Sequence, residues 1–320
     1  MKKTLCLASA CLLLFAFCPF WGFFAHQHIN RLAVFTLPPE MIGFYKKNIS
    51  AIISLSVSPD KRRYAVESEA PRHYLDLDHY GDSAFHRLPR KWQDAVRDLG
   101  EDTLQAYGTL PWHLTRMYYS LREAFQVRDP AAIIRLSAEF GHYIADAHVP
   151  LHTTENYNGQ LTGQEGIHGF WESRLPEIYF DRYDFFVGRA AYIDDPEGVF
   201  WQIVRESHSM VDEVLAVERR LSDEFGERKY SFETRGNATV RVYAKEYASA
   251  YHAALKGMVE KQMRASVKMV GDIWYTAWID AGQPDLQKLL DHKPTEEQLL
   301  RNRQEVEALK AATKRVRDHE

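Results

Sequence analysis

Residues 129–152 read DPAAIIRLSAEFGHYIADAHVPLH. Asp129 followed by Pro130 is a helix start: a capping carboxylate, then a residue whose φ suits the first turn and which has no N–H to leave unpaired. Apolar residues then recur at three-to-four spacing, so a helix is expected over 130–147. Pro150 ends it. On that helix His142 and Asp146 are four apart and share a face, and the chain presents His152 from the following turn.

Outward in both directions the punctuation is proline and glycine, and the apolar period stays helical with little period-two alternation. Helices are expected over about 39–55, 101–127, 168–177, 197–225 and 237–281, and a polar loop over 153–167. The fold class is therefore all-α, with a single helical domain over 21–292. Residues 293–320, dense in Glu, Gln, Lys and Arg, read as a charged C-terminal helical extension or a frayed tail.

The chain has 320 residues, 45% hydrophobic and 26% charged, which is ordinary globular composition. A formal net charge of -4 gives no global basic field. A nucleic-acid substrate would have to be held by local metal charge. Lys2 and Lys3 precede an almost wholly apolar run from Leu5 to Phe17, the shape of a secretory signal and too short for a membrane span. Residues 1–20 are read as a signal peptide and the protein as exported, periplasmic or secreted; the other reading of that run is an uncleaved anchor. Cys6, Cys11 and Cys18 all lie inside it. A processed chain would contain no cysteine, so disulfides and thiolate zinc sites are excluded and any metal must be held by His, Asp and Glu.

A second pair, His168 and Glu172, repeats the four-residue spacing on another expected helix. One such pair alone is an ordinary surface contact. Two pairs close in sequence with His152 between them point to a metal site, and imidazole with carboxylate on helices suits zinc. Upstream, Asp60-x-x-Arg63 precedes His73-Tyr74-Leu75-Asp76.

Together with Trp21-Gly22 and His26, these elements resemble the superfamily that joins bacterial zinc-dependent phospholipase C to the single-strand-specific zinc nucleases of fungi and plants. They occur in the family's order from residue 21 to 172; beyond that, the chain matches only in being helical. The resemblance implies a trinuclear Zn2+ cluster between helices. Asp60, His73, His142 and Asp146 resemble the ligands of the first zinc, and His152, His168 and Glu172 those of the second. The amine and carbonyl of Trp21, with His26 and the bridging Asp146, resemble those of the third. Trp21 can offer its amine only as the first residue, yet Cys18-Pro19-Phe20 is a poor signal-peptidase site because small residues are expected before the cut.

Zinc lowers the pKa of a bound water from about 15.7 toward about 7 and polarises phosphoryl oxygens, which suits phosphodiester hydrolysis. Asp60, Asp146 and Arg63 stand as candidate catalytic residues. Arg63 would contact the phosphate if it points inward; in the run Lys61-Arg62-Arg63 it could equally lie on the surface.

The substrate divides two ways. The Trp21 to His26 spacing and Asp60-x-x-Arg63 resemble the nucleases, whereas Glu172 and the short gap from His152 to His168 resemble the phospholipase. The positions corresponding to the phospholipase's choline pocket are Phe24, Lys61 and Ala70, and Lys61 would repel choline. Tyr74 could stack on a base while Asp76 bonds its edge, or Tyr74 could pack in the core. Nucleic acid or nucleotides are placed slightly ahead of phospholipid, and a non-catalytic zinc-binding protein is the third class. No obligate protein partner is evident.

Overall fold

The computed structural model describes residues 22–235 and 238–291, together with Glu296, Leu300 and Gln304. The signal segment 1–20, Trp21 and nearly all of 293–320 lie outside the described residues.

The fold is all-α and is organised around the helix Pro130–Ala147. Its N-terminus is closed as the sequence leads one to expect: the Asp129 carboxylate accepts from the amides of Ala131 and Ala132, each at 3.0 Å. Every residue from Leu136 to Ala147 is buried. Around this helix pack Gly22–Ala33, Ile49–Leu55, Leu110–Gln126, Pro196–His208 and Met258–Asp280. Phe140 and Ile144 are fully enclosed, each contributing about 1.5–3 kcal/mol of hydrophobic burial.

One contact sets the spacing of this core. At Gly141 an added Cβ would overlap the side chain of Asn30. The missing methyl lets Gly22–Ala33 approach the central helix closely, and Asn30 then donates back to the His26 carbonyl at 3.0 Å. The close approach brings His26 against His142.

Several long helices expected from periodicity are broken. The stretch 39–55 divides into Pro39–Lys47 and Ile49–Leu55, because the Asn48 side chain donates to the Phe44 carbonyl at 2.8 Å and closes the first helix. The stretch 101–127 divides at Gly108, whose φ of 95° no L side chain adopts easily and whose backbone lies against Tyr74. The stretch 197–225 divides at residues 209 and 210.

The largest correction lies in 237–281. Its first part is a strand, Ala238–Tyr243, paired antiparallel with Tyr230–Arg235 in the register Tyr230↔Tyr243 to Arg235↔Ala238. Ala-Thr-Val-Arg-Val-Tyr alternates, and β-branched and aromatic residues favour the pleated form. Helices resume at Lys245–Ala254 and Met258–Asp280. Tyr243 stacks on Phe170 at 3.9 Å and Arg174 pairs with Glu233 at 2.6 Å, so the hairpin braces the segment that carries His168 and Glu172. Among the described residues no helix is long and apolar enough to cross a membrane.

Candidate metal centre

Eight of the nine residues proposed as metal ligands fall within the described residues, and the fold brings all eight into one place. His142 and Asp146 come from the last turns of the central helix, and His26 from Gly22–Ala33. Asp60 comes from the short helix Ser58–Arg62, His73 from a single 3-10 turn and His152 from the turn opened by Pro150. His168 and Glu172 lie where the helix widens into a π turn, Phe170–Arg174, a distortion common at functional sites.

Their donor atoms form three groups, of which the first two share His142: Asp60, His73 and His142; His26, His142 and Asp146; and His152, His168 and Glu172. In the first region His73 Nδ1 is 2.9 Å from Asp146 Oδ2 and 3.1 Å from His142 Nε2. His142 Nε2 is 3.3 Å from Asp146 and 3.6 Å from Asp60, and His73 Nδ1 is 3.9 Å from Asp60. A tetrahedral zinc with bonds of about 2.1 Å separates its ligands by about 3.4 Å, so these spacings bracket the edge of such a tetrahedron. In the last group His168 and His152 Nε2 lie 2.8 and 3.4 Å from Glu172 Oε2.

His26 stands between the groups. Its Nε2 is 3.4 Å from Asp146 Oδ1 and 3.2 Å from Glu172 Oε1, and its ring stacks on His142 at 3.9 Å. Asp146 therefore turns one oxygen to His73 and His142 and the other to His26, the disposition of a bridging carboxylate. Glu172 divides its oxygens in the same way, which sequence spacing did not suggest.

Backbone carbonyls select the tautomers. His152 Nδ1 donates to the His73 carbonyl at 2.6 Å, and His168 Nδ1 to the Tyr157 carbonyl at 3.1 Å. A carbonyl can only accept, so in each neutral ring the proton sits on Nδ1 and the Nε2 lone pair faces the cluster. His73 is turned the other way, with Nδ1 inward and Nε2 3.9 Å from Glu69 Oε1.

The electrostatics call for cations. Burial, and then the neighbouring Glu172 and Asp60, push the Asp146 carboxyl well above its ordinary value. Burial works the same way on Glu172, but the imidazoles of His152, His168 and His26 gathered around it outweigh burial and hold this carboxyl well below. Burial lowers His73 and His142 far below the usual imidazole range and brings His152 to about 4, so these rings are neutral near pH 7. Three carboxylates beside neutral imidazoles leave a buried negative charge that divalent ions would compensate. The donor set, all nitrogen and oxygen, fits zinc.

Arg63 is buried, with Nη1 3.2 Å from Asp60 Oδ1; it lies against the cluster rather than on the surface. Its neighbour Arg62 points away and forks onto Glu139 at 2.9 and 3.0 Å. Tyr74 and Asp76 are not placed to receive a base. They are 5% and 2% exposed, the Tyr74 hydroxyl donates to the Ala106 carbonyl at 3.3 Å, and Gly108 lies against its ring. This packing favours the reading of Tyr74 as a core residue.

Glu69 went unnoticed in the sequence. It is 1% exposed, accepts from Tyr143 and from Arg72 at 2.7 Å, and lies 3.3 Å from Arg62. The available signal was its four-residue spacing from His73 on one turn.

A helical protein with buried imidazole and carboxylate donors at metal-ligand spacing is of the metal-binding class. The model of the zinc-dependent phospholipase C family matches residues 25–252, and the chain belongs to that family. It is a zinc-dependent phosphodiester hydrolase. No curated protein matches the chain.

Proposed function

We propose that the chain hydrolyses glycerophospholipids in the manner of a phospholipase C, on headgroups that lack a quaternary ammonium. Membership of the zinc-dependent phospholipase C family carries the first half of this reading. The second half is carried by Lys61, whose Nζ lies 5.4 Å over the Phe23 ring beside Asp60, with Arg63 buried on the other side. An ammonium occupying an aromatic face leaves no cage for choline. Neutral or anionic headgroups meet no such repulsion.

Three zinc ions are proposed: one held by Asp60, His73, His142 and Asp146, one by His152, His168 and Glu172, and one by His26, Asp146 and the terminal amine of Trp21. Bound zinc would supply Lewis acidity and an acidified water. The chain's own part is to hold the Nε2 atoms of His152 and His168 in position through their carbonyl bonds, to share Asp146 between sites, and to offer the Arg63 guanidinium to a phosphate oxygen. Export, with cleavage before Trp21, belongs to the same proposal, since only a free amine completes the third donor set.

The second reading is single-stranded nucleic acid. The spacing from Trp21 to His26 and the pairing of Asp60 with Arg63 favour it. Its precedence in the sequence rested partly on Tyr74 and Asp76, and their burial reverses the order. Zinc-loaded protein tested on phosphatidylcholine, phosphatidylethanolamine, phosphatidylglycerol and single-stranded DNA should act best on a phospholipid other than phosphatidylcholine. Preference for phosphatidylcholine would overturn the headgroup reading, and cleavage of DNA alone would overturn the lipid one.

A further inference from the structure

Beside the helix Leu110–Gln126 lies a pocket of about 580 Å³ that none of the metal-ligand candidates lines. Its walls combine four cations, Arg72, Arg90, Lys91 and Arg116, against two carboxylates, Glu101 and Glu197, with the rings of Trp92, Trp112 and Tyr119. Arg72 is matched by Glu69. Among the described residues Arg90, Lys91 and Arg116 form no ion pair within 4.0 Å, though Glu197 and Asp195 act on Arg90 from further off. Arg116 instead donates to His113 Nδ1 at 2.7 Å. A guanidinium cannot accept, so His113 Nδ1 must, and the ring is neutral with its proton on Nε2. That Nε2 has no hydrogen-bond partner, although His113 is only 5% exposed. Burial and then the like charge of Arg72 push the Arg116 guanidinium down, against the weaker opposing pull of Tyr143 and Glu69.

We propose that this pocket binds a phosphomonoester with an apolar or aromatic organic part, at a site distinct from the metal centre. A guanidinium fork suits the dianion geometrically and electrostatically. The volume is that of a small organic ligand rather than a bare ion, and the rings of Trp92 and Tyr119 supply surface for the organic part. A phosphomonoester is also the kind of product that phosphodiester cleavage releases. The pocket adjoins the support of the centre: His113 packs edge-on against Tyr143 at 4.3 Å, Tyr143 against His73 at 5.1 Å, and Arg72 holds Glu69. An occupant drawing on Arg72 would loosen its grip on Glu69.

Phenyl phosphate is a suitable probe. Titrated calorimetrically into the zinc-loaded full chain, it should fill one more site than in Arg116→Gln, whose binding at the metals is intact. Loss of one charged fork should weaken the second site by about tenfold to a hundredfold. Lys91→Ala, on the exposed side, should weaken it less and keeps the test open if Arg116→Gln folds poorly. Inorganic phosphate and phenol should each bind the site at least about tenfold more weakly than phenyl phosphate. Identical stoichiometry and affinity in wild type and both variants, or inorganic phosphate binding as tightly as phenyl phosphate, would overturn the proposal.

Discussion

His152 donates from Nδ1 to the backbone carbonyl of His73 at 2.6 Å, and the Leu75 amide returns a bond to the His152 carbonyl at 2.9 Å. Residues proposed for two different zinc ions are therefore tied through main-chain groups: the His73 carbonyl fixes the His152 ring, and the Leu75 amide fixes the His152 backbone. Metal-ligand orientation in this protein depends as much on where two backbone segments meet as on the identity of the ligands.

Asp146 carries the sharpest consequence. Because its two oxygens face different donor groups, Asp146→Ala should lower zinc content by more than one equivalent and activity by at least about a hundredfold. His208, which donates to the Thr153 carbonyl at 2.9 Å, is a control: His208→Ala should keep full zinc. Metal analysis beside turnover decides it, and an Asp146→Ala protein with three zincs would sink the shared-ligand assignment.

Gly141→Ala should cost about 1–3 kcal/mol, because the new methyl meets the Asn30 side chain at a packed crossing. Asn30→Ala in the same chain should return part of that loss, a coupling visible in urea midpoints. Simple additivity of the two changes would refute the close-approach argument.

Burial of Glu69 among Arg62, Arg72 and Tyr143 predicts that Glu69→Ala leaves half-buried positive charge without its partner. A loss of about 3–5 kcal/mol is expected, with His73 less firmly held. Urea denaturation gives the first quantity and zinc affinity the second; a change near zero in both would mean that Glu139 alone supports Arg62.

His113 makes stability depend on pH. Burial, followed by repulsion from Arg116, Arg72 and Arg62, holds its pKa well below the ordinary value. The unfolded chain therefore takes up the proton first, near pH 6.5. Stability from this group is fully present above that pH and is lost as pH falls from about 6.5 toward the folded value. His113→Gln, which never charges, should flatten the decline between pH 7 and 5.5. Parallel curves for the two proteins would show that His113 does not set it.

The amino terminus offers the last test. Protein recovered after export should begin at Trp21, and a form beginning Met-Trp21 should hold one zinc fewer and lose most activity. Full turnover with three zincs in the extended form would remove the amine from the donor set.

Two pairs of candidate ligands were legible because their spacing is local: His142 to Asp146 and His168 to Glu172 are each one helical turn, whatever surrounds them, whereas Asp60, His73, His26 and Trp21 were implied only by the family resemblance. The helical class followed equally from short-range periodicity. What the sequence concealed was tertiary. Glu69 acquires its role from Arg62, Glu139 and Tyr143, the last two about 70 residues away. Tyr74 and Asp76 are buried, and no pattern in 73–76 announces it. The hairpin was missed for a local reason, since six alternating residues were absorbed into a longer helical count.

Gly22–Ala33 lies against Met258–Asp280, and at Gly271 an added Cβ would overlap Thr36. The first described helix and the last long one share an interface, so the core cannot close until nearly the whole chain is available. Chain closure on that scale carries a large entropic cost before any contact offsets it, and folding governed by such distant pairings is slow. The newly made polypeptide therefore stays open for longer than a helical protein of local contacts would, and the His26 side of the candidate metal centre is among the last things it builds.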